Sequence, residues 1–299
     1  MHTISEVRPL RQCLEAWQKQ GQRIALVPTM GNLHAGHLSL IEQARQHADK
    51  VVATVFVNPL QFGPNEDFDQ YPRTLSEDQA QCQAQGADVL FAPAVSVMYP
   101  GYQPGQPYDA TRVQADAALS SQFEGADRPG HFDGVVTVVS KLFHLVQPNV
   151  AVFGQKDLQQ FVILQKMVHD LAFPIDLIRA PIVRQSDGLA LSSRNQYLSE
   201  AERAQAPLIR QTLTSVVTSL QQTPHNHASI LQTAQARLQV QGFVVHYLAW
   251  VRLPDLQTVT QWHASDTADG SEFAVMVAAT LGRTRLLDNA IFRLDGQVF

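Results

Sequence analysis

Hydrophobic positions in the first half of the chain alternate between two periods. Ile24-Ala25-Leu26-Val27, Val51 to Val57, Asp88 to Ala92, Val150 to Phe153 and Ile175 to Ile178 are short apolar runs, several rich in β-branched residues. Each stops at or near a proline, glycine or asparagine, as buried parallel strands do. Between them, 135–146 and 158–171 repeat their apolar residues at helical spacing. Strand and helix in alternation predict an α/β domain built on a parallel sheet.

After about residue 180 the texture changes. Ser199 with Glu200 and Glu202 reads as a helix start, and a Gln- and Thr-rich helical pattern continues to about Leu220. The stretch 221–227 reads as a loop. Short strands follow at 244–251, 273–279 and 284–288. Helices followed by strands without βαβ order predict a smaller α+β domain, so the expected division is 1–182 and 183–299.

Composition narrows the class. The 299 residues are 45% hydrophobic and 16% charged, enough to bury a sizeable core. Net charge is −5 and Lys and Arg form no run, so the footprint of a nucleic-acid partner is missing. Two cysteines, Cys13 and Cys82, make no disulfide framework and read as a reducing, cytoplasmic environment. The N-terminal residues lack the apolar segment of a secretory signal, and no apolar run approaches the ~20 residues of a spanning helix, so no membrane role is expected.

Candidate chemistry gathers just after the strands. In open α/β sheets, ligands bind beyond the carboxyl ends of the strands. Pro28-Thr29-Met30-Gly31-Asn32-Leu33-His34-Ala35-Gly36-His37 leaves the first strand and enters a helix near Gly36. Two imidazoles at a helix N-terminus suit an anion, because backbone N–H groups and the positive end of the dipole meet there. Asn58 to Gly63 brings neutral amides, Gln61 among them, although the local sequence by itself favours a plain Pro/Gly turn. His131 lies between two glycines in Arg128-Pro129-Gly130-His131-Phe132-Asp133-Gly134, as either a surface residue or a ligand neighbour.

Two further clusters carry cations. Lys156 in Gly154-Gln155-Lys156-Asp157 sits where the helix dipole opposes it, so a phosphate partner explains it better than helix stability does. Asp157 serves as an N-cap or as a partner for a ribose hydroxyl. Ser186 to Asn195 reads as a polar loop, or as a phosphate-closing loop with Ser192, Ser193 and Arg194. Walker-type and Gly-x-Gly-x-x-Gly patterns are absent, and Cys13, Cys82, His225 and His227 lack motif support for a nucleophile or a metal.

The His-x-Gly-His run is similar to the nucleotide-binding signature of adenylyl-transferring enzymes. Taken with Phe56 to Gly63, Tyr71-Pro72-Arg73-Thr74, Met98-Tyr99-Pro100, Arg128 to Val135, Gly154 to Asp157 with Gln160, Asp187 to Asn195 and Thr284-Arg285-Leu286-Leu287-Asp288-Asn289, it resembles the pantoate–β-alanine ligase family along nearly the whole chain. The resemblance implies a Rossmann-like N-terminal domain with a smaller C-terminal lid, usually in a homodimer. It also implies ATP, pantoate and β-alanine as substrates, Mg²⁺ as cofactor, and a pantoyl-adenylate intermediate.

Carried over, Met30, Gly31, Asn32, Leu33, His34, Ala35, Gly36 and His37 line ATP, with His37 as proton donor. Gly154, Gln155, Lys156 and Asp157 form a nucleotide loop. Val183 touches the adenine side, and Leu191, Ser192, Ser193 and Arg194 close on phosphate. Gln61 and Gln160 hold pantoate, with His131 in the same substrate pocket. His34, His37, Lys156 and Arg194 are the expected catalytic groups. Metal ligands stay unassigned, with Glu77 and Asp78 as candidates. Gln155 departs from the family's usual Glu, and Asn32 from its small or apolar residue. A nucleotidyltransferase that keeps the adenylyl group on its product, a non-catalytic nucleotide-binding regulator and an aminoacyl-tRNA synthetase fragment are the rival readings.

Overall fold

The structure is a computed structural model that describes residues 1–63, 66, 68–106, 108–263 and 270–299. Its first unit comprises Met1–Gly154 and Ile163–Ala180. Strands β1 (His2–Ile4), β2 (Ile24–Thr29), β3 (Lys50–Val55), β4 (Val89–Phe91), β5 (Val150–Gly154) and β6 (Asp176–Ala180) make one parallel sheet in the order β1-β4-β3-β2-β5-β6. The α/β expectation is met. β1 escapes the sequence pattern because three residues with mixed exposure carry no periodic signal.

Helices α1 (Val7–Lys19), α2 (Ala35–His47), α3 (Leu75–Ala84), α4 (Val95–Met98), α5 (Ala117–Ser120), α6 (Phe123–Asp127) and α7 (His131–Val146) belong to this unit. The central strands β2 to β5 are mostly buried, and Ile24, Ala25, Leu26 and Val27 of β2 have no exposure. Leu40, Ile41 and Ala44 of α2 pack against Val27, Val51 and Val152 in one apolar cluster. Helix α8 (Leu158–Asp170) runs from the second unit into the first.

From β2 the chain steps outward through β3 and β4, then returns to place β5 on the other side of β2. The reversal makes the carboxyl ends of β2 and β5 the topological switch point, where open α/β sheets bind ligands. Thr29 and Gly154 end those strands.

The second unit comprises Gln155–Val162 and Pro181–Phe299. Helices α9 (Glu200–Gln205), α10 (Leu208–Gln222) and α11 (His227–Val240) accompany the antiparallel strands β7 (Val244–Arg252), β8 (Gln257–Thr258), β9 (Phe273–Leu281) and β10 (Thr284–Phe292), ordered β10-β9-β7-β8. The continuous helix expected from Ser199 is broken around Pro207, which has no N–H to continue α9. Helix α11 stands where no element was expected, because Ala234 and Leu238 are its only buried residues and its apolar stripe is thin. Among the described residues no helix is long and apolar enough to cross a membrane.

Candidate active site

The loop after β2 is built around Gly31, whose φ of +85° favours glycine. A Cβ there would meet Asp78 Oδ2 at 2.9 Å and Val55 at 3.0 Å. Asn32 follows at φ +51°, a left-handed position that asparagine tolerates, which gives its departure from the family pattern a physical reason. Asp78 closes the loop. It is fully buried in the first turn of α3, and its oxygens accept the Asn32 N–H at 3.1 Å, the Leu33 N–H at 2.8 Å and the Thr74 hydroxyl at 3.2 Å. Asp78, one of two candidates named for metal ligation, has both carboxylate oxygens engaged in anchoring the main chain and Thr74. Glu77 is exposed on the same turn.

Helix α2 starts one residue before the expected position, with His34 itself as N-cap. Its Nδ1 accepts the Gly36 N–H at 3.1 Å, and His37 Nδ1 accepts the His34 N–H at 3.4 Å. The two rings lie 4.1 Å apart between centroids. A ring that accepts at Nδ1 is neutral and carries its proton on Nε2. The reciprocal cap thus sets both tautomers and makes each Nε2 a hydrogen-bond donor at a helix N-terminus, the arrangement an anion favours.

A second constraint orients Gln61. The Gly134 carbonyl can only accept, and Asn58 Nδ2 reaches it at 3.1 Å. That fixes the Asn58 amide, whose Oδ1 takes the Tyr99 hydroxyl at 2.9 Å. Asn58 Nδ2 also donates to Gln61 Oε1 at 3.0 Å. Gln61 must then turn Nε2 the other way, where it lies 3.2 Å from Met30 Sδ. The amide accordingly offers a donor on the Met30 side, suited to a carboxylate or hydroxyl oxygen. Gly134 permits the contact, since a Cβ there would sit 2.3 Å from the Leu60 carbonyl.

His131 begins α7 and is buried. Its Nδ1 lies 2.8 Å from the Gln61 carbonyl and its Nε2 3.2 Å from Arg128 Nη1. A carbonyl only accepts and a guanidinium only donates, so the ring is neutral with its proton on Nδ1. Both nitrogens engage protein groups, placing His131 behind Gln61 as a support. Arg128 also pairs with Glu66. Burial opposes ionisation of Glu66, but the hydrogen bond and charge of Arg128 outweigh it and hold the carboxyl below its ordinary value. Leu60 to Gly63, Glu66, Arg112, His131 and Thr137 line a cavity of about 250 Å³ beside Gln61.

The second unit carries the remaining candidates. Lys156 lies in a 3-10 turn over Gln155–Asp157, with Nζ 3.3 Å from Asp157 Oδ1. Gln155 is buried, and its Nε2 donates to Asn289 Oδ1 at 3.2 Å. The neutral amide supplies the proton this contact needs. Gln160 is half-buried in the first turn of α8.

Val183 and Leu191 face each other across a tight hairpin, with the Leu191 N–H on the Val183 carbonyl at 3.0 Å. Arg184 bridges Ala190 in that hairpin and binds both oxygens of Asp288, at 2.6 and 2.8 Å. Ser192 caps the following 3-10 turn, Ser193–Tyr197, accepting the Arg194 N–H at 3.3 Å. Asn58, Tyr99 and Asn289 carry no individual role in the sequence reading, and Asp78 appears there only as a candidate metal ligand. Their signal is a polar residue buried among apolar neighbours, which becomes visible only in the fold.

The family model described as Pantoate-beta-alanine ligase matches residues 2–291. The chain is 49% identical over 296 residues to a pantothenate synthetase of Hydrogenovibrio crunogenus, covering 98% of this chain and 100% of the relative. It is 48% identical to one of Pseudomonas fluorescens, covering 99% of each. Among solved structures, a pantothenate synthetase of Thermus thermophilus matches with a TM-score of 0.83 at 44% identity, over 97% of this chain and 98% of that one. A pantoate-beta-alanine ligase from Francisella tularensis, complexed with beta-gamma ATP and beta-alanine, matches with a TM-score of 0.76 at 29% identity over 99% of each chain.

Proposed function

The chain belongs to the pantoate–β-alanine ligase family, and from that premise we propose that it joins pantoate to β-alanine in two ATP-driven steps. In the first, a pantoate carboxylate oxygen attacks the α-phosphorus of ATP. The bond to the bridging oxygen breaks, pyrophosphate leaves, and pantoyl adenylate remains. In the second, the β-alanine amine attacks the acyl carbon, AMP departs with the carbonyl–phosphate bond pair, and the amine gives up a proton. The neighbour solved with an ATP analogue and β-alanine supports the substrate class.

The observation that carries this reading is the interlocked histidine pair. Two neutral imidazoles, each with a donating Nε2, stand at the N-terminus of α2 beyond the switch point of the sheet. A polyphosphate gathers negative charge as pyrophosphate leaves, and pre-set donors stabilise it without reorganising. His37 and His34 fill that role, with Lys156 and Arg194 as the permanent cations. Met30 to His37 and Gly154 to Asp157 are assigned to nucleotide binding, as are Val183 and Leu191 to Arg194.

Gln61 and Gln160 hold pantoate through neutral amides, which orient a carboxylate without quenching its nucleophilicity as a cation does. His131 contributes by holding the Gln61 main chain. Among the described residues no group of three or more His, Cys, Asp or Glu is arranged to hold a metal. Mg²⁺ would be carried on the nucleotide phosphates, which need few protein ligands. Bound there, the ion would neutralise phosphate charge. No nucleophilic side chain enters the scheme. Incubation with ATP, pantoate and β-alanine tests it: AMP and pyrophosphate must form in equal amounts with pantothenate, and nucleotide turnover indifferent to pantoate overturns it.

A further inference from the structure

Strand β10 carries Asp288 and Asn289 side by side, both buried although polar. Alternation along the strand sends them to opposite faces. Leu286, Ala290 and Phe292 lie in the apolar core of the second unit, so Asp288 shares the core face and Asn289 takes the other. Buried polar groups of this kind persist when their hydrogen bonds are complete.

Chemistry assigns the bonds of Asn289 without ambiguity. Its Nδ2 lies 2.9 Å from the Gln155 carbonyl and 3.1 Å from the Lys156 carbonyl. Carbonyls only accept, so the nitrogen faces them and Oδ1 faces Gln155 Nε2. One side chain thus makes three bonds to two successive residues of the turn that presents Lys156. Asp288 steadies it in turn. Its Oδ1 accepts the Asn289 N–H at 2.7 Å, while the carboxylate is clamped by Arg184.

Lysine is long and flexible, so where its Nζ acts depends on where its main chain is held. We propose that Asn289 is the positioning residue for Lys156, setting the peptide from which Nζ meets the phosphates during adenylate formation. The proposal rests on the phosphate role given to Lys156 above. Asn289 touches no substrate; it acts through Lys156. A residue needed only for folding would affect catalysis regardless of what occupies position 156.

The test is a double-mutant cycle read by single-turnover pyrophosphate release from ATP and pantoate, with thermal melts to establish folding. Asn289→Ala is expected to slow release about 30-fold, leaving the pantoate KM within about twofold. In a Lys156→Ala background the same change should cost no more than about twofold, because residues acting as a unit are not additive. Asn289→Asp has the same size but lacks both donors, and must behave as Asn289→Ala does. Equal slowing in both backgrounds, a folded Asn289→Asp protein with the wild-type rate, or collapse of both variants overturns the proposal. A wild-type protein that releases no pyrophosphate overturns the underlying reading as well, whereas an active wild type with additive variants overturns this proposal alone.

Discussion

The carboxylate of Asp78 accepts the backbone N–H of Leu33 at 2.8 Å across 45 residues of sequence. The bond matters because it spans from α3 to the loop that sets the histidine pair. Asp78 has no exposure, and its second oxygen takes the Asn32 N–H. The His-x-Gly-His segment is therefore held from below by a buried charge before any ligand arrives.

Asp78→Ala leaves two main-chain donors and a hydroxyl unpaired, and should destabilise the protein by roughly 3 kcal/mol. ATP affinity should fall with it, and excess Mg²⁺ should not restore it. Calorimetric titration of ATP over a Mg²⁺ series checks this. Recovery at high Mg²⁺ would show that Asp78 is a metal ligand after all.

Tyr99→Phe removes the hydroxyl that steadies Asn58 and leaves the ring in place. Gln61 then loses part of what fixes its amide, and the pantoate KM should rise about three- to tenfold while ATP binding holds. Gln61→Ala should do more, raising the pantoate KM and depressing adenylation together. A fall in ATP affinity with the pantoate KM intact would contradict the assignment of Gln61 to pantoate.

Much of this was legible in the sequence, for reasons that differ by element. β2 to β5 are short apolar runs with clear stops, so the parallel sheet could be read directly. The residues at its strand ends stood out as polar clusters in otherwise apolar stretches. Asp78 did not, because an acid in the first turn of a helix is ordinary and only its burial reveals the role. Asn289 hid in the same way: within β10 it reads as a break in an apolar strand until the 155–156 turn is seen against it. His34 as an N-cap was missed because imidazole is an uncommon cap, where Ser, Thr, Asp or Asn is expected.

Glu66 supplies a pH test. Its carboxyl lies below its ordinary 4.5 once Arg128 has outweighed the burial that opposes it. A depressed folded value stabilises above the unfolded one and is lost as pH falls through the folded one. The melting-temperature gap between wild type and Glu66→Gln, present at pH 7, should therefore shrink as pH drops below about 4.5. A gap that stays constant down to pH 3 would remove the Glu66–Arg128 pair from the argument.

Cys82 is buried, and burial together with the nearby Asp78 charge pushes its thiol up to about 11. At pH 8 only on the order of one part in a thousand is thiolate. Cys13 is also raised, first by burial and then by Asp88. Cys82 should not react appreciably with iodoacetamide while the protein is folded, should react in denaturant, and should lag behind the partly buried Cys13 in the native protein. Rapid labelling of Cys82 in the native protein, read by peptide mass, would contradict its placement beneath the sheet.

The adenylate step can be followed by the fate of one oxygen. Pantoate labelled with ¹⁸O in its carboxylate is incubated with ATP and β-alanine, and the nucleotide products are weighed by mass spectrometry. Attack of the carboxylate on the α-phosphorus, followed by amide formation, moves one labelled oxygen into the phosphate of AMP. The account predicts AMP carrying that label, with unlabelled pyrophosphate. Label in inorganic phosphate with ADP as the nucleotide product, or AMP without label, would contradict it.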